Sequence, residues 1–167
     1  MWGDFLVSVK SVKKTNAVRI LESLKIPFEL MEYEIDPVLL SAEDASAKTG
    51  IPMEQTFKTI CCRGDKTGVF FAVAPAGTTL NVKALAAISG NKSASPVHLK
   101  EVTALTGYIR GGCSPIGAKK NYPVVIDETA ILFDFITVNA GARGLLFKMK
   151  PDDLIRATNA KVGSITL

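Results

Sequence analysis

VVIDETAILFDFITVNAGARGLLFKM, residues 124–149, holds three apolar, β-branched runs in succession, at 124–126, 131–139 and 145–149. Turn signals separate them at Asp127-Glu128 and Ala140-Gly141, and no helical period intervenes. A chain that alternated helix and strand to its end would build a doubly wound parallel sheet. Here the alternation stops and strands follow one another, so the fold class is α+β, with a mixed sheet flanked by helices. Pro151 then opens a closing helix through Thr158.

Working back from this stretch, residues 57–63 and 69–74 are rich in aromatic and β-branched side chains. They flank the polar loop Gly64-Asp65-Lys66-Thr67-Gly68, which predicts a hairpin with Lys58 on its first strand. Across residues 15–25, Ala17, Val18, Leu21 and Leu24 recur at helical spacing, with Thr15 or Asn16 suited to the N-cap. Pro27 ends that helix, and residues 28–35 set Phe28 and Leu30 against Met31, Tyr33 and Ile35, as a strand covered on both faces does. Ser41 caps a second helix through Lys48, with Asp44 in its first turn and Gly50 as its stop. Asn81 opens a helix that ends at Gly90, and Ser95-Pro96 opens another that ends at Gly107. The segment Gly111-Gly112-Cys113-Ser114-Pro115-Ile116-Gly117 sustains neither period. Its glycines permit positive φ or a close backbone approach to a ligand, which makes it the best loop candidate for a binding site. Residues 1–11 show no clear periodicity and are read as an N-terminal extension, leaving residues 12–167 as the domain.

The 167 residues are 47% hydrophobic and 22% charged, as in a single globular domain with a sizeable core. No apolar run approaches the roughly 20 residues of a membrane span. Cys61, Cys62 and Cys113 lack the spacing of a disulfide framework. Both features point to a cytoplasmic protein with free thiols. The net charge is +4, the pI is near 9.0, and lysines come in pairs at Lys13-Lys14, Lys119-Lys120 and Lys148 with Lys150. Such clusters favour a polyanionic partner, because each phosphate neutralised releases counterions. Many soluble domains carry this much charge simply as a solvated face.

Phosphate-loop, nucleophile-elbow and metal-ligand spacings are all missing from the sequence. His98, the single histidine, reads as a half-exposed helix residue rather than a general base. Cys61 and Cys62 fall on one strand and so point to opposite faces. Cys113 has no histidine near it in sequence to activate its thiol, and small-residue packing is the better reading. Lys58 interrupts an otherwise apolar strand. Composition alone reads it as an edge lysine with its stem on apolar surface and its head in water.

Five segments taken in order alter that reading. Thr15-Asn16-Ala17 through Tyr33 comes first, then Phe57-Lys58-Thr59. Thr106-Gly107-Tyr108 follows, with the loop from Gly111 to Lys120; Val125-Ile126-Asp127 and Gly141-Ala142-Arg143-Gly144-Leu145 complete the set. Together they resemble the YbaK/EbsC family, which includes the editing insertion of bacterial prolyl-tRNA synthetases. The resemblance runs from about Lys13 to the end of the last helix. It implies a compact α+β domain whose mixed sheet is strongly curved, and release of an amino acid from a mischarged tRNA. The glycine loop and the Phe-Lys-Thr strand look most like the free-standing cysteinyl-tRNA(Pro) deacylases, with alanine-removing relatives as the alternative and a non-catalytic module binding a tRNA end or nucleotide as another.

By the same resemblance the catalytic residues are Lys58 and Gly111. Lys58 would hold the terminal adenosine phosphate or the aminoacyl carbonyl, and the Gly111 backbone would approach the scissile ester. Substrate binding falls to Tyr33, Gly112, Ser114, Asn139 and Arg143. Asn139 stands where many family members carry a serine. For Arg143 two roles stay open, a tRNA phosphate contact or an ion pair that braces the site. No cofactor and no metal are implied. The expected partners are mischarged prolyl tRNA and prolyl-tRNA synthetase, with neither a membrane nor DNA. In the cysteine-specific members the substrate's own thiol is thought to attack its carbonyl, which fits a chain without an evident nucleophile.

Overall fold

The computed structural model describes residues 14–167. The extension expected over residues 1–11, and Lys13 of the first lysine pair, lie outside them. Thr15 caps helix α1 (Asn16–Ser23) by accepting the Val18 amide at 3.1 Å. Its own hydroxyl donates to the Ala140 carbonyl at 2.6 Å, tying the helix start to a distant strand. Strand β1 (Glu29–Glu32) is shorter than expected, yet it is covered on both faces. Leu30 enters the main core and Met31 a separate cluster with Ala45, Ile51 and Leu146. Ser41 accepts the Asp44 amide to start α2 (Ala42–Thr49), and a 3₁₀ turn (Met53–Gln55) follows.

Strands β2 (Phe57–Gly64) and β3 (Gly68–Pro75) form the expected hairpin, in register from Phe57 opposite Pro75 to Gly64 opposite Gly68. Asn81 caps α3 (Val82–Ser89). Ser95-Pro96 does not open a helix. It belongs to a short edge strand, β4 (Ala94–Pro96), and α4 (Leu99–Thr106) starts only after His98. The residue before a proline avoids the helical region, and an edge strand tolerates the missing proline donor. Strand β5 (Val124–Asp127) is as expected. The strand expected over 131–139 splits, because Asp127 accepts the Thr129 amide and hydroxyl and starts a 3₁₀ turn (Glu128–Leu132). Ile131 and Leu132 are consequently 56% and 75% exposed, and pairing begins at β6 (Ile136–Ala142). Strand β7 (Leu145–Met149), helix α5 (Pro151–Thr158) and a small strand β8 (Lys161–Gly163) complete the chain.

The strands form two sheets, ordered β1-β7-β6 and β4-β2-β3-β5-β8. The larger is mixed: β3–β5 and β5–β8 are parallel, and the β2 pairings are antiparallel. An isolated parallel bridge, Thr56 to Thr137, joins the sheets. Their facing residues, with Phe57, Cys61, Phe71 and Val73 on one side and Ile136, Val138 and Phe147 on the other, make the main core together with α1. Cys62 points the opposite way, into a second core with Phe70, Leu85 and Ile165. No helix among the described residues is long and apolar enough to cross a membrane.

Candidate active site

Strand β4 pairs with β2 only over Cys62–Gly64, and β6 reaches it only through the Thr56 bridge. Between these points the outer edge of β2 carries no ladder. A cleft of about 260 Å³ lies there, bordered by Lys58 and Thr59 of β2, Tyr33, Leu40, Glu43 at the start of α2, Gly111, Cys113 and Asn139. Of the residues expected at the site, the fold brings together Tyr33, Lys58, Gly111 and Asn139. Gly112, Ser114 and Arg143 do not border the cleft.

Lys58 is half-buried, and its ammonium donates to the Thr78 carbonyl at 2.7 Å. That carbonyl belongs to the turn after β3, which is pinned in turn. The Ala76 amide donates to Thr56 O at 2.7 Å, and the Thr78 hydroxyl donates to Pro75 O at 2.6 Å. One of the three ammonium donors is thus used to aim the side chain, and two remain for a ligand. Beside it on β2, the Thr59 hydroxyl oxygen is buried without a partner. Thr59 follows Lys58 on the strand, so its side chain turns to the opposite face, that of Phe57 and Cys61.

Gly111 has φ +83°, a conformation that L side chains rarely adopt, and a Cβ there would stand 3.1 Å from the Leu40 Cβ. Its carbonyl accepts from the Asn139 amide at 3.1 Å, while its own N–H has no partner among the described residues. Asn139 uses its whole hydrogen-bonding capacity on the backbone. It donates to Gly111 O and, at 2.9 Å, to Ala142 O, and accepts from the amides of Gly141 and Ala142 at 2.6 and 3.2 Å. It therefore holds the bulge between Asn139 and Ala142 against the glycine loop and has nothing left for a substrate. Asn139→Ala is expected to cost about 1–3 kcal/mol by stranding these groups, measured by urea unfolding. A loss within roughly 0.5 kcal/mol, the range of ordinary surface changes, would show that the bulge holds itself.

The other expected residues make local contacts. Gly112 packs backbone to backbone against Ala142 and Arg143. Ser114 is fully buried and its hydroxyl accepts the Ile116 amide at 3.3 Å, closing a turn. Arg143 braces the loop with a hydrogen bond to the Arg110 carbonyl at 2.8 Å instead of an ion pair. Tyr33 lines the cleft, and burial raises its phenol above the ordinary value. Burial also pushes the Cys113 thiol up to about 12, so it stays protonated near neutral pH and is a poor nucleophile. His98 is exposed and lies away from the cleft.

The lysine pairs do not act as a block. Lys14 pairs with Glu22 at 2.9 Å. Lys148 lies 3.8 Å from the buried Glu29 and over the Phe135 ring. Lys119 and Lys120 remain on the surface beside the glycine loop. Sequence reasoning gave no role to Glu43 and none of its own to Thr59. Glu43 accepts the Gly77 amide at 2.7 Å, a backbone partner that no side-chain motif announces.

A cleft bordered by a cation, a glycine backbone and a protonated thiol is of a class that can act on a bound ligand by position and charge. Comparison with known proteins gives that class its chemistry. The model of the aminoacyl-tRNA editing domain matches residues 36–157. An Enterococcus faecalis (strain ATCC 700802 / V583) protein assigned as Cys-tRNA(Pro)/Cys-tRNA(Cys) deacylase EbsC is 42% identical over 157 residues, covering 94% of this chain and 96% of its own. The same fold recurs in the crystal structure of a hypothetical protein, with TM-score 0.83, 22% identity and coverage of 92% of this chain and 100% of that one. It recurs again in a protein described as a trans-editing enzyme for prolyl tRNA synthetase, with TM-score 0.77, 21% identity and coverage of 93% and 99%. The chain belongs to the aminoacyl-tRNA editing domain family. Its class of activity is deacylation, the cleavage of an aminoacyl ester on a tRNA end.

Proposed function

We propose that the protein removes wrongly attached cysteine from prolyl tRNA, acting in trans beside prolyl-tRNA synthetase. One observation carries this reading: the ammonium of Lys58 is held in a cleft whose only thiol, that of Cys113, is pushed up by burial and is a poor nucleophile, which favours a thiol that arrives with the substrate. A cysteinyl ester brings a thiol of ordinary pKa, about 8.5. In the proposed step that thiol gives its proton to solvent and its sulfur attacks the carbonyl carbon of the same residue. A carbon–sulfur bond forms, the bond from that carbon to the ribose oxygen breaks, and the ribose oxygen takes up a proton. The amino acid departs as a cyclic thioester, which water then opens. Lys58 and the free Gly111 amide supply donors for the charge on the carbonyl oxygen. The likeness to the EbsC protein over 94% of the chain supports cysteine as the amino acid.

The test is release of radiolabelled amino acid from prolyl tRNA charged in turn with cysteine, alanine and proline. Cysteine release alone is the expected result. Equal release of alanine would favour the alanine-removing reading, and no release even with the synthetase present would leave a binding module. Cys113→Ser is expected to keep most of the activity, measured in the same assay. An inactive but well-folded Cys113→Ser would mean that the protein's own thiol takes part.

A further inference from the structure

Among the residues that border the cleft, Lys58 is the sole cation and Glu43 the sole carboxylate. Both are tied to adjacent residues of one turn, since Glu43 accepts the Gly77 amide at 2.7 Å and Lys58 donates to the Thr78 carbonyl at 2.7 Å. The two charges are not an ion pair within 4.0 Å among the described residues, so neither cancels the other by contact. The Gly77 hydrogen bond, with the Lys58 charge as a smaller influence, holds the Glu43 carboxyl below the ordinary value, and it is ionised at neutral pH. A carboxylate has about four acceptor sites, so the Gly77 bond leaves room for a second donor.

The opposite charges match an aminoacyl ester, whose α-ammonium sits one carbon from the carbonyl that is cleaved. We infer that Glu43 reads the free α-ammonium of the substrate while Lys58 holds its ester end. This rests on the deacylase reading and deepens it. The cleft then accepts an aminoacyl-tRNA and rejects the same ester once its nitrogen is acylated, which separates mischarged tRNA from initiator-like or peptidyl tRNA.

The experiment compares cysteinyl and N-acetylcysteinyl prolyl tRNA with the wild type and Glu43→Gln, a variant that keeps an acceptor for the Gly77 amide. The wild type is expected to favour the free amine by about tenfold to a hundredfold, the worth of a hydrogen bond to a charged group. Glu43→Gln should lose this preference mainly through KM, so that the ratio of the two rates falls toward one. Simple steric exclusion of the acetyl group would persist in Glu43→Gln and would overturn the inference. So would a wild type that releases both substrates equally, a result that leaves the deacylase reading standing and needs no variant to fold. Release from neither substrate by the wild type would defeat the deacylase reading and the inference with it.

Discussion

Lys58→Ala is expected to lower kcat/KM for cysteine release about 10²–10³-fold, the loss that follows removal of one charge-stabilising donor from an active site. The effect should appear in activity and hardly at all in stability. Lys58 is half-exposed on the unladdered edge of β2, and the hydrogen bond it gives up, to the Thr78 carbonyl, is worth about 1 kcal/mol net. The turn it leaves is still pinned by Ala76 to Thr56, by the Thr78 hydroxyl to Pro75 and by the Gly77 amide to Glu43. Radiolabel release paired with a thermal melt separates the two effects. A folded Lys58→Ala with activity near the wild type would remove Lys58 from the mechanism. Lys58→Arg restores the charge but not its shape, because a planar fork cannot occupy the place of a compact ammonium. It should recover only part of the loss.

What could be read from the sequence follows the range of the interactions involved. The helix starts at Thr15, Ser41 and Asn81 depend on a side chain reaching an amide three residues on, and they were legible for that reason. So was the β2–β3 hairpin, whose pairs close around a short polar loop. Strands β4 and β8 were not, since three residues at a sheet edge carry no period of their own. The same holds for the 3₁₀ turn that takes Ile131 and Leu132 out of the sheet, which depends on Asp127 capping Thr129 instead of continuing a strand.

At the site, resemblance named Lys58, Gly111, Tyr33 and Asn139, and all four border one cleft. Ser114 and Arg143, named by the same resemblance, lie off that cleft: Ser114 closes a turn at Ile116 and Arg143 donates one N–H to the Arg110 carbonyl. Lys148 and Lys150 are neighbours in sequence, yet Lys148 answers a buried Glu29 rather than a phosphate. Glu43 was invisible for the converse reason: it looks like any acid in a first helical turn, and only the folded chain brings Gly77 to it.

The second large effect is on stability. Gly117→Ala is expected to destabilise the domain by about 3 kcal/mol, lowering the melting temperature by roughly 6–12 °C. Gly117 ends the glycine loop where it passes beneath the start of α1, and two costs meet there. Its φ of +83° places an added Cβ in the left-handed region, at about 1–2 kcal/mol. The added carbon would also stand 2.8 Å from the Ala17 amide nitrogen and 2.7 Å from the Tyr108 hydroxyl. Ala17 is fully buried in the first turn of α1 and cannot yield without moving the helix. Tyr108 cannot yield freely either, since its hydroxyl donates to the Ile116 carbonyl. The Asn16 side-chain amide, which donates to Gly117 O at 3.0 Å, ties the same point to the first residue of α1. The loop is thus anchored at Gly117 by α1 and Tyr108 and at Gly111 by Asn139, a double anchorage that would preorganise the Gly111 amide in the proposed mechanism. A loss below about 1 kcal/mol in urea unfolding would mean that the loop lifts away from α1 at little cost. In that case the preorganised amide would have to be held from the Asn139 side alone.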